Sequence, residues 1–288
     1  EAIDKSEIPL VQIHLIDYLL GFGCSVPAIL STRTIQSEKE KKLTMLLVPF
    51  MSCSAKIPIY AIFISILFEK NKSIIILMLY VISIIIGIIV TAILNKITRK
   101  DNQATFIIEL PNYRIPSIKN IWHLMWNKTK EFIEKAFSII FIASIIIWFL
   151  KSFDTSLYLS KEENSILAQI GKIISPIFKP LGFSDWRIIT SLITGISAKE
   201  AVVSTLTILT NANTQMLPYI LKTILTIPAT ISFLIFVVLY TPCIATISII
   251  KKEFNLKTAI KVAINQFIIA YIMAFVTFQL SNFLFNFF

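Results

Sequence analysis

Long apolar runs alternate along this chain with short, strongly polar stretches. A helix needs about 20 mostly apolar residues to cross a bilayer, and runs of that order recur at roughly 9–30, 43–68, 73–95, 136–153, 187–210, 228–250 and 260–285. Seven such runs predict an all-α, polytopic membrane protein. The run at 73–95 is plain Ile, Val and Leu with one Gly, as expected of a lipid-facing scaffold. The run at 136–153 is short for a full crossing.

Three polar stretches interrupt the pattern. Residues 31–42 carry Arg33, Lys39, Lys41 and Lys42. Residues 96–135 are richly basic and hold Trp122, His123 and Trp126 in an amphipathic run, which predicts a segment lying flat at the interface. Residues 154–185 contain a second amphipathic run at 166–183, broken by Pro176 and Pro180, that either lies on the surface or re-enters the membrane. The chain thus divides into a membrane unit of three spans (1–95), a basic interfacial linker (96–135) and a second membrane unit (136–288). Basic loops favour the cytoplasm, which places the first two basic stretches there. Seven simple crossings then put Lys251, Lys252, Lys257 and Lys261 outside, against that rule. Either 136–153 does not cross fully or 166–183 enters the membrane.

Composition agrees with the membrane class. Hydrophobic residues are 56% of 288 and charged residues only 15%, at a mean hydropathy of +0.77, too few charges to coat a soluble domain. The net charge of +10 belongs to the loops and points to lipid, not nucleic acid, as the partner. The first residues, from Glu1, are mixed in charge and unlike a signal peptide; a start at Glu1 suits a piece of something longer. Cys24, Cys53 and Cys243 are too few and too scattered for a disulfide framework.

Four runs are unlike ordinary membrane helices. They hold Gly21-Phe22-Gly23-Cys24-Ser25-Val26-Pro27, then Pro49-Phe50-Met51-Ser52-Cys53-Ser54-Ala55-Lys56-Ile57-Pro58, then Thr194-Gly195-Ile196-Ser197-Ala198-Lys199-Glu200, and last Tyr240-Thr241-Pro242-Cys243. Gly and Pro break the helix there and free backbone groups in mid-bilayer, which is tolerated only inside protein or along a polar cavity. Discontinuous helices of this kind build midplane ion sites in transporters. Gly23, Pro27, Ser54, Lys56, Ser197, Lys199 and Pro242 are accordingly candidate pore-lining or gating residues.

Thiolates favour softer transition metals, and hydroxyl or carboxylate oxygens favour harder ions. A mixed set of Cys24, Cys53, Cys243 and Glu200, with Ser25 and Ser52 beside them, suits weak and reversible binding of Fe²⁺. The bland reading of any one of these cysteines is a small buried hydrophobe. All three falling in Pro- or Ser-bearing breaks favours the metal reading. Lys199 and Glu200 sit well inside an apolar run, where a central charge costs about 2.5 to 3.5 kcal/mol. A cavity role is favoured over a structural ion pair, and Lys56 either joins it or compensates a carboxylate such as Glu200. His14 and Asp17 are weaker candidates on one helical face. Neither His14 nor His123 has a nucleophile around it, so no enzyme is expected. Ser54-Ala55-Lys56 recurs as Ser197-Ala198-Lys199, a hint of an inverted repeat with the substrate at its interface.

These residues resemble the ferrous iron transport protein B (FeoB) family. Gly21 to Thr34 and Leu47 to Tyr60 are similar to its first Gate region. Phe178 to Phe183, Asp185 to Arg187, Leu192 to Leu206 and Tyr240 to Thr246 are similar to its second, and Glu109 to Pro116 to the loop between. The resemblance implies a Gate-type inverted repeat in a bacterial inner-membrane system for Fe²⁺ uptake. Cys24, Cys53 and Cys243 occupy the Gate cysteine positions that contact the ion in passage. Family members also carry a GTP-binding domain thought to gate the pore. No G-x4-G-K-[ST] occurs in this sequence, so GTP enters only through a domain or protein in trans, with a homo-oligomer as a further possible assembly. Two other readings remain open: a Gate-domain transporter of nucleoside-like solutes, for which Asn265 and Gln266 are the hint, and a non-transporting remnant or scaffold.

Overall fold

The computed structural model describes residues 20–35, 38–68, 71–97, 117–154, 158, 164–240 and 243–287. His14, Asp17, the 109–116 loop and Pro242 lie outside them. The described residues form twelve α-helices and no strand. In chain order they are α1 (Ser25–Ser31), α2 (Glu38–Leu47), α3 (Ile57–Leu67), α4 (Lys72–Ile97), α5 (Ile118–Ser152), α6 (Ile166–Ile174), α7 (Trp186–Ser197), α8 (Ala201–Leu209), α9 (Leu217–Ile224), α10 (Ile227–Leu239), α11 (Ile244–Glu253) and α12 (Leu256–Phe287). The protein is all-α and polytopic.

Four helical stretches are long and apolar enough to cross a membrane: Glu40–Leu67, Lys72–Ile93, Ile227–Glu253 and Leu256–Leu284. They match four of the seven expected runs. Their burial sorts them by continuity. The two unbroken spans, Lys72–Ile93 and Leu256–Leu284, are only 22% and 28% buried, whereas the two broken ones, Glu40–Leu67 and Ile227–Glu253, are 56% and 75% buried. Freed backbone groups cannot face hydrocarbon, so the interrupted spans occupy the interior and the continuous ones form the rim. On α4 the exposed Ile74, Leu77, Met78, Val81, Ile85 and Ile89 repeat at helical spacing as a lipid-ready face. α10 is apolar all round and almost wholly buried, the mark of a central helix.

The remaining runs depart from simple crossings. The expected span at 187–210 is two short helices, α7 and α8, parted by Ala198–Glu200. The interfacial run and the short span expected on either side of residue 136 form one 35-residue helix, α5. No Gly or Pro falls within it to stop it, and its Ile140–Ser152 portion is shorter than a span. The 166–183 run turns inward after α6. A 3₁₀ segment, Ser175–Leu181, ends on Gly182 at φ +85°, and Phe178, Leu181 and Phe183 are buried against Phe233 and Phe236 of α10.

Contacts at one end of the molecule bear on the conflict over basic residues. Arg33 is bidentate to one Glu253 oxygen, Nε at 2.9 Å and a terminal nitrogen at 2.5 Å, and the carboxylate holds its guanidinium above the ordinary value. Lys41 and Lys42 stand 5.2 and 5.9 Å from the Phe254 ring centre. The 31–42 stretch and the turn bearing Lys251, Lys252 and Lys257 therefore share one face. Seven simple crossings would part them; α7 and α8 are individually too short to cross, and burial of Phe178, Leu181 and Phe183 agrees with the alternative in which 166–183 turns inward.

Candidate functional site at four helix breaks

Four helices away from the breaks begin on conventional caps, while α9 begins after Met216 without one. Ser117, Ser165, Asp185 and Thr226 each accept a backbone N–H from the first turn of the helix that follows. The segments that begin at the breaks do not. α1 starts after Cys24, the 3₁₀ turn Ser54–Lys56 after Cys53, α8 after Glu200 and α11 after Cys243, and none of these four side chains makes a capping bond. Four of the six residues singled out as metal ligands thus hold equivalent positions, each immediately before the start of a helical segment. Such termini carry positive partial charge and favour a thiolate or carboxylate.

The breaks are neighbours in space. Ser54 donates to the carbonyl of Gly23 at 3.1 Å, joining the first break to the second. Lys56 of the second break reaches the Val238 carbonyl and Lys199 of the third reaches the Tyr240 ring, both beside the fourth. Cys24 and Cys243 pack against one apolar cluster, formed by Val26 and Ile29 of α1 and Ala245, Ile249 and Ile250 of α11. The three cysteines are half-buried free thiols, and Glu200 is exposed. Among the described residues no three His, Cys, Asp or Glu side chains converge closely enough to hold one ion together.

The two Ser-Ala-Lys segments deliver their lysines to the same place, the end of α10. Lys56 is 2% exposed and donates to the Val238 carbonyl at 2.7 Å. That carbonyl is among the last four of α10, which have no partner within the helix. Lys56 meets a backbone carbonyl there, where the sequence suggested a carboxylate. Lys199, 4% exposed, lies 3.6 Å from the centre of the Tyr240 ring, a cation–π contact in a dry setting. Tyr240 in turn donates to the Leu192 carbonyl at 2.9 Å. Gly195 makes this approach possible: a Cβ there would stand 2.4 Å from Val202 and 3.0 Å from the Tyr240 hydroxyl.

The other candidates are placed more quietly. Ser25 is buried in the first turn of α1 and Pro27 sits in that same turn, where its missing N–H is not needed. Ser52 is fully buried and shares a 3.0 Å hydrogen bond with the Tyr60 hydroxyl. Ser197 turns back to the Thr194 carbonyl of its own helix. Gly23 is exposed, with open space where a Cβ would be. Sequence reasoning named Tyr240 and Arg33 without their partners, Leu192 and Glu253, which lie 48 and 220 positions away, and missed Tyr60, whose partner Ser52 is only 8 positions back.

The chain matches the family model described as "Nucleoside recognition" (Gate) over residues 133–257 and that described as "Ferrous iron transport protein B C terminus" over residues 76–128. It is 37% identical over 279 residues to "Fe(2+) transporter FeoB" of Staphylococcus aureus (strain MSSA476), covering 96% of this chain and 41% of the relative. The relative of the same name from Methanocaldococcus jannaschii is also 37% identical over 279 residues, covering 94% of this chain and 42% of that one. The one from Campylobacter jejuni is 34% identical over 299 residues, covering 98% and 47%. No solved structure matches. The chain spans less than half the length of these curated relatives. It belongs to the ferrous iron transport protein B family and carries that family's Gate and carboxy-terminal membrane region.

Proposed function

We propose that this chain is the permease portion of a ferrous iron uptake transporter of the cell (inner) membrane. Fe²⁺ passes between the four helix breaks in contact with Cys24, Cys53, Cys243 and Glu200, and a GTP-binding domain or protein supplies the gating. The observation that carries the reading is that all four residues stand at the start of a helical segment at a break, and that contacts join these breaks. The relatives are named as Fe(2+) transporters.

Electrostatics set a condition on this passage. The helix starts carry positive partial charge, so a cation is welcome only when the thiols and Glu200 supply negative charge. A thiol must lose its proton to ligate metal, so entry of Fe²⁺ releases protons and binding strengthens as pH rises. The units 1–95 and 136–288, joined by the basic segment 96–135, contribute two breaks each. Separated ligands that do not close into a cage suit conduction, which needs binding weak enough to release the ion.

Radio-iron uptake tests the reading in cells lacking their own ferrous transport, with the chain supplied alongside a family GTP-binding domain. Replacing all three cysteines by serine lowers uptake about tenfold or more; undiminished uptake removes the cysteine path. A second reading, transport of a nucleoside-like solute, is favoured by the description of the Gate match at 133–257. Uptake of labelled nucleoside that Fe²⁺ does not inhibit selects it instead.

A further inference from the structure

Gln266 is 1% exposed, and neither its amide oxygen nor its amide nitrogen has a hydrogen-bond partner. An amide offers two donors and an acceptor, and leaving them all dry in a membrane interior is costly. A buried group of this kind needs a reason.

Its position is fixed by its neighbours along α12. Ala259, Val262, Gln266, Ala270 and Ala274 form one buried stripe at helical spacing. Ala259 and Val262 pack with Ala245, Ile249 and Ile250 of α11. Ala270 and Ala274 belong to the cluster built around α10. Ser232 of α10 donates to the Ala274 carbonyl at 2.9 Å, and the Phe236 and Phe267 rings are 5.9 Å apart. Gln266 therefore lies between the α10 contact and the α11 contact, level with the interruption between Leu239 and Ile244. That is the level of Tyr240, of Cys243 and of the carbonyl that Lys56 caps.

We propose that Gln266 is a further binding residue of this site, its amide oxygen directed to a divalent cation or to a water of the cation's hydration shell. The inference rests on the transport reading above. The other four members of the stripe are Ala or Val, so close helix packing is met without a polar group, and a leucine would fill the same space dry. A neutral amide oxygen is a hard ligand suited to a partly hydrated divalent ion. It adds no charge that would retain the ion, in keeping with passage.

The test uses the full chain in lipid nanodiscs under anaerobic conditions, titrated with Fe²⁺ alone, with thermal unfolding measured on the same samples. Gln266→Leu is expected to unfold at a higher temperature than the native chain, yet to bind Fe²⁺ about tenfold more weakly. Gln266→Glu, with a carboxylate in place of the amide, is expected to bind at least as tightly as the native chain. Unchanged affinity in Gln266→Leu, with normal binding by the native chain, overturns the assignment and leaves the transport reading standing. Absence of Fe²⁺ binding by the native chain overturns both. Should Gln266→Leu not accumulate, Gln266→Glu decides alone: retained or tighter binding supports the assignment and weaker binding overturns it.

Discussion

Lys56 and Val238, 182 positions apart, are joined by a 2.7 Å hydrogen bond that closes the open end of α10 with a side chain from the first half of the protein. The bond ties the second break to the fourth. A broken helix inside a membrane protein is stable only when its freed carbonyls are met, and here the buried lysine Nζ does so.

Substituting Lys56→Met removes that donor and leaves the Val238 carbonyl dry. An unpaired buried acceptor costs about 1–3 kcal/mol, so the variant should unfold at a lower temperature in detergent than the native chain. An unchanged unfolding temperature would mean that another group satisfies the carbonyl.

Gly195→Ala should destabilise through crowding, since its Cβ would fall 2.4 Å from Val202 and 3.0 Å from the Tyr240 hydroxyl. Overpacking costs about 1–3 kcal/mol, partly offset by the better helix propensity of alanine. Gly23→Ala is the control for folding, as nothing lies within 4 Å of its added Cβ. Thermal unfolding of the pair should separate them clearly, with Gly23→Ala close to native.

Arg33 and Glu253 should couple across the basic face. The arginine side chain is 34% exposed and the glutamate 7%, so solvent screens the pair in part, and a double-mutant cycle with alanine should give about 1 kcal/mol, decreasing with salt. A coupling near zero at low salt would show that the two ends are held by packing alone.

The same contacts predict sidedness. Cysteines introduced at Lys42 and Lys257, in a chain otherwise free of thiols, should react with a membrane-impermeant reagent from one and the same side. Reaction from opposite faces would restore the seven simple crossings that the Arg33–Glu253 pair argues against.

Much of this architecture is legible in the residues. The Ile-rich runs mark the continuous spans because lipid demands nothing else of them, and Gly and Pro mark the breaks because they weaken the helical ladder. The 35-residue α5 was not legible, since an interfacial run and a short apolar run share the helical period and differ only in polarity. Nor was the inward turn of Phe178 and Phe183, because Pro176 and Pro180 suit a surface loop equally well. At the site, the sequence singled out the cysteines and both lysines. It could not show that Lys56 and Lys199 reach one helix end, or that Gln266 lies dry at its level, because these depend on pairings between distant segments.

Thiol labelling of the membrane-embedded chain, anaerobically and with or without Fe²⁺, tests the central claim most directly. Passage between the breaks predicts that Fe²⁺, and not Mg²⁺, slows labelling of Cys24, Cys53 and Cys243 together, since a thiolate prefers the softer ion. Equal labelling with and without Fe²⁺ at all three would contradict it and return the cysteines to the role of packing residues.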